Sequence, residues 1–337
     1  MGSSARLSLP SAAALEREFA LFGADGLEHE EVVVSGGAIS CTCARCDRWR
    51  RYCRGEGEGA TRASYQVITR ELVDGVATWL RARASRRPDT DFELVVLEVG
   101  AGDGHLGRAI SEALAGGDDA PAAAVKYICT DIEPRGAGVA RAAYADALQS
   151  YDPDIVICCW MPLGDDWTAA FREHMSVRAY VLIGEVDDGC CGEPWATWGY
   201  VAERGRDSCS VSSTSSESDR SDADGHATHE RPAPADDARK RQRALATGDA
   251  WRRAYEHSPQ TTPWGAEEWC RVELACVTPS ALVCRTDEPW LAERHSRCVL
   301  FSRDPPTPLE SYWMTADERR RALAYRYTVY RFDPVRR

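Results

Sequence analysis

Three glycines at alternate positions follow a short apolar run in Val96-Leu-Glu-Val-Gly-Ala-Gly-Asp-Gly-His-Leu-Gly107. Gly100, Gly102 and Gly104 permit a tight turn and a close approach of backbone to a ligand, and a helix starting just after them aims its free amides at that ligand. The chemistry this suits is the holding of a nucleotide-like molecule. The same run contains Gly102-x-Gly104-x-x-Gly107, a literal match to the dinucleotide fingerprint. The strand ends at Gly100, however, so its register favours the reading Gly100-x-Gly102-x-Gly104. Glu98, two residues before the turn, faces a pyrophosphate badly; a carboxylate there suits a ligand that carries an ammonium group.

Such a turn needs a strand before it and a helix after it. Leu94-Val-Val-Leu-Glu-Val99 reads as a buried strand, and Leu106 to Leu114 as the helix. Val125–Thr130, Asp154–Cys159 and Ala179–Gly184 read as further strands, with a helix over Trp167–Met175. Near-continuous apolar strands alternating with helices imply a parallel sheet covered on both faces. Upstream, Thr61 is expected to cap a helix in which Ile68, Leu72, Val76 and Leu80 recur at i+4. Near the other end, Ser280–Cys284 and Arg297–Ser302 suggest an antiparallel edge pair. The expected organisation is an N-terminal extension with a Cys-rich loop over 1–60, and a main domain over 61–203 and 248–303 that opens with a cap helix over 61–84. The Ser- and Asp-rich stretch 204–247 lacks the apolar residues to offset ordering entropy and is expected to be a disordered insertion. An Arg- and Tyr-rich tail occupies 304–337.

With these elements in this order, the chain resembles the class I, Rossmann-like S-adenosylmethionine-dependent methyltransferases over residues 92–303, less the insertion. The resemblance implies an α/β fold, a three-layer αβα sandwich with a mostly parallel seven-stranded sheet and an antiparallel edge hairpin. It implies S-adenosyl-L-methionine as cofactor, whose ammonium suits Glu98. By the same resemblance Asp131, in Tyr127-Ile-Cys-Thr-Asp-Ile132, accepts hydrogen bonds from both ribose hydroxyls, Ile132 packs on the adenine, and Asp146 meets the adenine amino group. Cys158-Cys-Trp-Met-Pro162 falls where the family's acceptor-side motif lies, which brings Cys159 to the cofactor and Trp160 to the acceptor. Arg62 is expected to meet the cofactor's carboxylate. The chain departs from the family's amino-group enzymes, which often carry Asp/Asn-Pro-Pro-Tyr at this place. It lacks the amide or carboxylate that accepts a hydrogen bond from an attacking amine, which disfavours methylation of a base nitrogen. The absence of a Pro-Cys pair weakens a thiolate mechanism on cytosine.

Methyl transfer asks for in-line alignment of the acceptor, and for a base only where the acceptor holds its proton. Candidate acids follow the fourth and fifth strands: Asp165, Asp166, Glu185, Asp187 and Asp188, with Trp160, Trp195 and Trp198 as pocket walls. Trp160, Asp166 and Glu185 are taken as catalytic. The acceptor is expected to be a small molecule or a protein side chain. Two alternatives come from other classes: a scaffold that keeps the cofactor pocket without turnover, and a zinc- or nucleic-acid-binding protein that uses a cysteine cluster and the basic tail.

That cluster is Cys41-x-Cys43-x2-Cys46-x6-Cys53. Four thiolates bind zinc well, but here a lone Cys53 stands beyond an arginine-rich stretch where a second Cys pair is usual, so no metal is assigned and the segment reads as a loop near the cofactor. The chain has 337 residues, 44% hydrophobic and 28% charged, with a formal charge of −12. That charge argues against a surface built throughout for nucleic acid. No apolar run reaches the ~18 residues of a membrane helix. The opening residues carry no apolar core segment of a secretory signal, and the 14 cysteines are too sparse for a disulfide scaffold. A cytoplasmic protein with reduced thiols is expected, with no membrane association.

Overall fold

The computed structural model describes residues 8–23, 29, 31–33, 39–56, 62–86, 93–116, 125–186, 189–200, 262–289 and 294–304. The expected insertion over 204–247, the tail beyond 304, and Thr61, Asp187 and Asp188 lie outside them.

In chain order the elements are α1 (Ala12–Phe19), β1 (Glu31–Val33), β2 (Ile39–Cys41), α2 (Ala44–Cys53), β3 (Gln66–Val67), α3 (Arg70–Ala84), β4 (Leu94–Val99), α4 (His105–Ala115), β5 (Val125–Asp131), β6 (Val139–Arg141), α5 (Tyr144–Tyr151), β7 (Ile155–Cys159), α6 (Thr168–Glu173), β8 (Ala179–Glu185), α7 (Pro194–Trp198), α8 (Pro263–Ala266), β9 (Cys270–Glu273), β10 (Val283–Cys284) and β11 (Ser296–Ser302). Seven strands form one sheet in the order β6-β5-β4-β7-β8-β11-β9. The first five are parallel; β11 runs antiparallel to both β8 and β9. This order, with a single reversed strand next to the edge, is the class I methyltransferase fold.

The strands are apolar on successive residues because both faces of the sheet are covered. Val96 and Ile157 face one core with Leu72, Val76 and Leu80 of α3 and Ile110 of α4. Their neighbours Leu97 and Val156 face the other, with Leu148 of α5, Phe171 of α6 and Trp198 of α7. Removing a buried leucine side chain such as Leu72 or Leu97, both fully buried, costs about 2–5 kcal/mol. The chain leaves β4 towards β5 and β6 and then crosses back to β7. The order in which the chain adds strands therefore reverses beside the end of β4, where ligands bind in such folds.

Three expectations about the flanking elements are corrected. The Cys-rich segment expected as a loop holds the helix α2 over Ala44–Cys53, with Cys43 as its N-cap residue. The cap helix does not begin at Thr61. Residues 62–69 hold no helix, only the two-residue strand β3, and α3 starts at Arg70 under Thr69, whose hydroxyl accepts the Leu72 amide at 3.2 Å. The register of Leu72, Val76 and Leu80 is as expected; Ile68 lies before the helix. The edge pair also differs. Val283 of the Ser280–Cys284 segment pairs with Val67 of β3, and the strand beside β11 is β9. The short β3–β10 ladder ties the N-terminal part to the loop before β11. There α1 and α2 pack a third core in which Phe19 and Trp49 lie 5.0 Å apart.

Candidate functional site

The turn after β4 holds Gly100, Gly102 and Gly104 at φ of +67°, +59° and +70°. This left-handed region is costly for residues with a Cβ. Gly102 is where it matters most for a ligand, because a Cβ there would meet no atom within 4 Å; the turn faces open space. The Gly102 amide donates to Asp131 Oδ2 at 2.7 Å, and the Glu133 amide donates to Oδ1 at 2.7 Å. Asp131, the last residue of β5, thus fixes the turn and keeps acceptor capacity on both oxygens. Ile132 follows it, 66% exposed. Asp146 is exposed in the first turn of α5.

Glu98 lies beneath the turn, between Cys129 of β5 and Ile157 of β7 in the register. Its Oε2 accepts from the Tyr127 hydroxyl at 3.1 Å and the Cys129 thiol at 3.6 Å. Gly107 makes room for it, since a Cβ there would stand 2.7 Å from Glu98 Oε2 and 2.2 Å from Cys129 Sγ. Burial raises the Glu98 pKa to about 7, with the two donors working against that rise.

Arg62 reaches the same place from the segment before β3. Its Nη2 lies 2.7 Å from Asp103 Oδ1, which also accepts the His105 amide at 3.0 Å. Its Nε and Nη1 are buried and have no hydrogen-bond partner among the described residues. Buried guanidinium N–H groups are seldom left so. An anion that displaces the atoms covering them would satisfy both.

The other half of the site lies at the ends of β7 and β8. Trp160 adopts φ +63°, a conformation that costs a bulky residue of order 1–3 kcal/mol and persists only where its surroundings hold it. Its amide donates to the Ile183 carbonyl at 2.8 Å, and its Nε1–H donates to Gln66 Oε1 at 3.2 Å. Its ring centroid lies 5.2 Å from that of Tyr65, and the Arg285 guanidinium carbon stands over the Tyr65 ring, 4.2 Å from its centroid. Glu185 is buried; its Oε2 accepts the Cys190 amide at 2.7 Å, and the Thr286 hydroxyl donates to Oε1. Asp166 Oδ1 accepts from the Thr168 amide (3.1 Å) and hydroxyl (2.6 Å) and from the Thr197 hydroxyl (3.0 Å), tying α6 to α7. Asp165 is exposed and Trp195 half-buried, while Trp198 is fully in the core. Burial holds the Cys158 and Cys159 thiols well above their ordinary pKa, so neither supplies a thiolate at neutral pH.

The structure therefore brings Gly100, Gly102, Gly104, Asp131, Glu98 and Arg62 together around the end of β4, and Trp160 and Glu185 onto adjacent strand ends. Gln66 was not expected. Its Nε2–H2 donates to the Val283 carbonyl at 2.9 Å while its Oε1 accepts from Ser296 and Trp160. Nothing in Tyr65-Gln-Val-Ile68 marks it, because its partners are distant in sequence. Of the cysteine series, Cys41, Cys43 and Cys46 come together around His29, and Cys53 packs in the third core with Phe19 and Trp49.

No family model and no curated protein matches the chain. Similar solved structures include the trans-methyltransferase CalH in complex with SAH (16% identity, 35% of this chain and 39% of that one, TM-score 0.25). The DszA carbon methyltransferase shares 14% identity over 54% of this chain and 66% of its own, with a TM-score of 0.29. The CMeT domain of the citrinin polyketide synthase shares 14% over 71% and 54%, with a TM-score of 0.32. The chain spans less than two thirds of each. Likenesses of this size are silent on function, and the fold stands on the strand order itself.

Proposed function

We propose that the chain is an S-adenosylmethionine-dependent methyltransferase. The observation that carries this reading is the pair of unpartnered, buried Arg62 N–H groups beside a glycine turn held by Asp131. A fold hosts many functions, so the reading rests on this site rather than on the sheet. The ligand it fits has a carboxylate for Arg62, an ammonium for Glu98, a ribose for Asp131 and an apolar ring for the exposed Ile132. S-adenosyl-L-methionine has all four, and it supplies an activated methyl group when bound. Gly100, Gly102 and Gly104 let it approach the backbone, Cys159 borders it from β7, and Asp146 is the acid offered to the adenine edge.

Trp160, Asp166 and Glu185 form the acceptor side. Trp160 walls the site with Tyr65, Asp166 positions the loop between β7 and α6, and Glu185 is the carboxylate available for an acceptor's proton. The acceptor is a small molecule or a protein side chain. Without a thiolate at Cys158 or Cys159, the acceptor atom attacks the methyl carbon directly. Calorimetric titration with S-adenosylmethionine, S-adenosylhomocysteine and NADH tests the reading. Micromolar binding of the first two, lost in Asp131→Ala and absent for NADH, supports it; binding of NADH alone refutes it.

A further inference from the structure

The geometry points to a structural zinc site formed by His29, Cys41, Cys43 and Cys46. Their ligand atoms all lie within 4.8 Å of one another. His29 Nδ1 stands 3.6, 3.5 and 3.6 Å from the Sγ atoms of Cys41, Cys43 and Cys46. Zinc bonds of about 2.3 Å to sulfur and 2.0–2.1 Å to nitrogen, set at the tetrahedral angle, separate nitrogen from each sulfur by about 3.6 Å. The three thiols therefore surround the imidazole at the spacing one central tetrahedral ion imposes, not in the pattern of a single thiol–imidazole hydrogen bond. Three soft thiolates and an imidazole select zinc among the common divalent ions. Four protein ligands close the coordination sphere, so the ion is structural and not a Lewis acid for substrate.

The local fold explains how such a site forms. The β1–β2 hairpin, with Glu31 opposite Cys41, returns the chain so that His29 before β1 meets Cys41 at the end of β2. Cys43 is the N-cap residue of α2, and Cys46 lies in that helix's first turn, fully buried. The backbone amides of Arg45 and Cys46 at this helix start donate to the Cys43 sulfur and favour the negative charge of the thiolates. Cys53 belongs to the same helix but takes no part. It faces the third core with Phe19, Trp49 and Val67.

A clamp at this place has a defined mechanical consequence. Across α2, Arg50 Nη1 lies 2.9 Å from both Glu288 oxygens, and Trp49 Nε1–H donates to the Asp287 carbonyl. The ion thereby fastens the hairpin to the helix that grips the loop after β10.

Metal analysis of the full-length chain, expressed with zinc supplied and purified without chelator, tests the site. The wild type is expected to hold one zinc ion per chain. Cys43→Ser and Cys46→Ser are expected to lose it, Cys53→Ser to keep it, and His29→Cys to keep it as a four-thiolate site. Cobalt substitution of the wild type is expected to give the visible bands of a tetrahedral thiolate-rich site, which decides the matter even if a cysteine variant fails to fold. A folded, metal-free wild type with no cobalt bands overturns the proposal. So does a zinc content that Cys43→Ser leaves unchanged, or one that Cys53→Ser abolishes in a protein with wild-type circular dichroism.

Discussion

At the scale of single residues, Glu98 is the most testable group in the site. Its carboxyl titrates near 4.5 in an unfolded chain and at about 7 when buried beneath the glycine turn. Between these values the folded protein holds a proton that the unfolded chain has released, so this group makes stability fall as pH rises from 4.5 to 7 and adds no further change above. The size of that contribution is about 3 kcal/mol. Glu98→Gln removes it: urea midpoints of the variant and the wild type are expected to converge near pH 5 and to separate by pH 8, with the variant more stable. Parallel curves across this range contradict the assignment. An ammonium beside Glu98 favours the carboxylate, so cofactor affinity is expected to rise with pH through 7 in the wild type and to stay flat in Glu98→Gln. Gly102→Ala separates the two duties of the turn. The left-handed φ of +59° makes alanine cost about 1–2 kcal/mol, while its methyl group enters the open space the ligand fills; more than a tenfold loss of affinity with a modest drop in melting temperature is expected. Unchanged affinity would move the ligand away from Gly102. The glycine spacing and the acid two positions earlier were legible in the sequence because local rules place them, whereas Asp131 was singled out through the family resemblance; the strand register sets them beside one another.

At the scale of elements, legibility declines with sequence separation. Four of the five parallel strands and the helices α4 and α6 were legible as apolar runs with periodicity, since each element's pattern is internal to it; the three-residue β6 and the short α5 were not read, being too short to show a pattern of their own. The start of α3 was misread because Thr61 and Thr69 are both competent caps, and only the packing of Leu72, Val76 and Leu80 against the sheet decides between them. The partner of Val283 could not be read, because a two-residue ladder to Val67 leaves no pattern of its own. Asp166 shows the same limit: its spacing after β7 suits an acceptor-side acid, whereas its Oδ1 holds α6 and α7 through Thr168 and Thr197. Gln66 joins β3, β10 and the Trp160 indole in one buried set of hydrogen bonds. Gln66→Leu leaves these partners unsatisfied and is expected to cost about 1–3 kcal/mol in chemical denaturation. Trp160, freed from its partner in a strained backbone, is expected to lose its fixed geometry, seen as a change in near-ultraviolet circular dichroism. Wild-type stability in this variant would show that the set does not hold the acceptor side together.

At the scale of the molecule, the proposed function puts a donor half on β4 and β5 and an acceptor half on β7 and β8, which meet where the chain's strand order reverses. Asp131 and Arg62 stand in the first half, Trp160 and Glu185 in the second. No helix among the described residues is long and apolar enough to cross a membrane. The formal charge of −12 disfavours polyanions, so single-stranded RNA is expected to bind more weakly than about 10⁻⁴ M at physiological salt; a strongly salt-dependent, tighter affinity in a filter assay would instead favour the nucleic-acid-binding alternative. The central claim is that the end of β4 holds S-adenosylmethionine by its amino-acid and ribose ends at once. A crystal structure of the full chain with S-adenosylhomocysteine tests it most directly. The carboxylate is predicted on Arg62 Nε and Nη1, the ribose hydroxyls on Asp131, and the adenine against Ile132. Ligand density elsewhere on the sheet, or Arg62 still unpartnered beneath a bound ligand, would contradict the account.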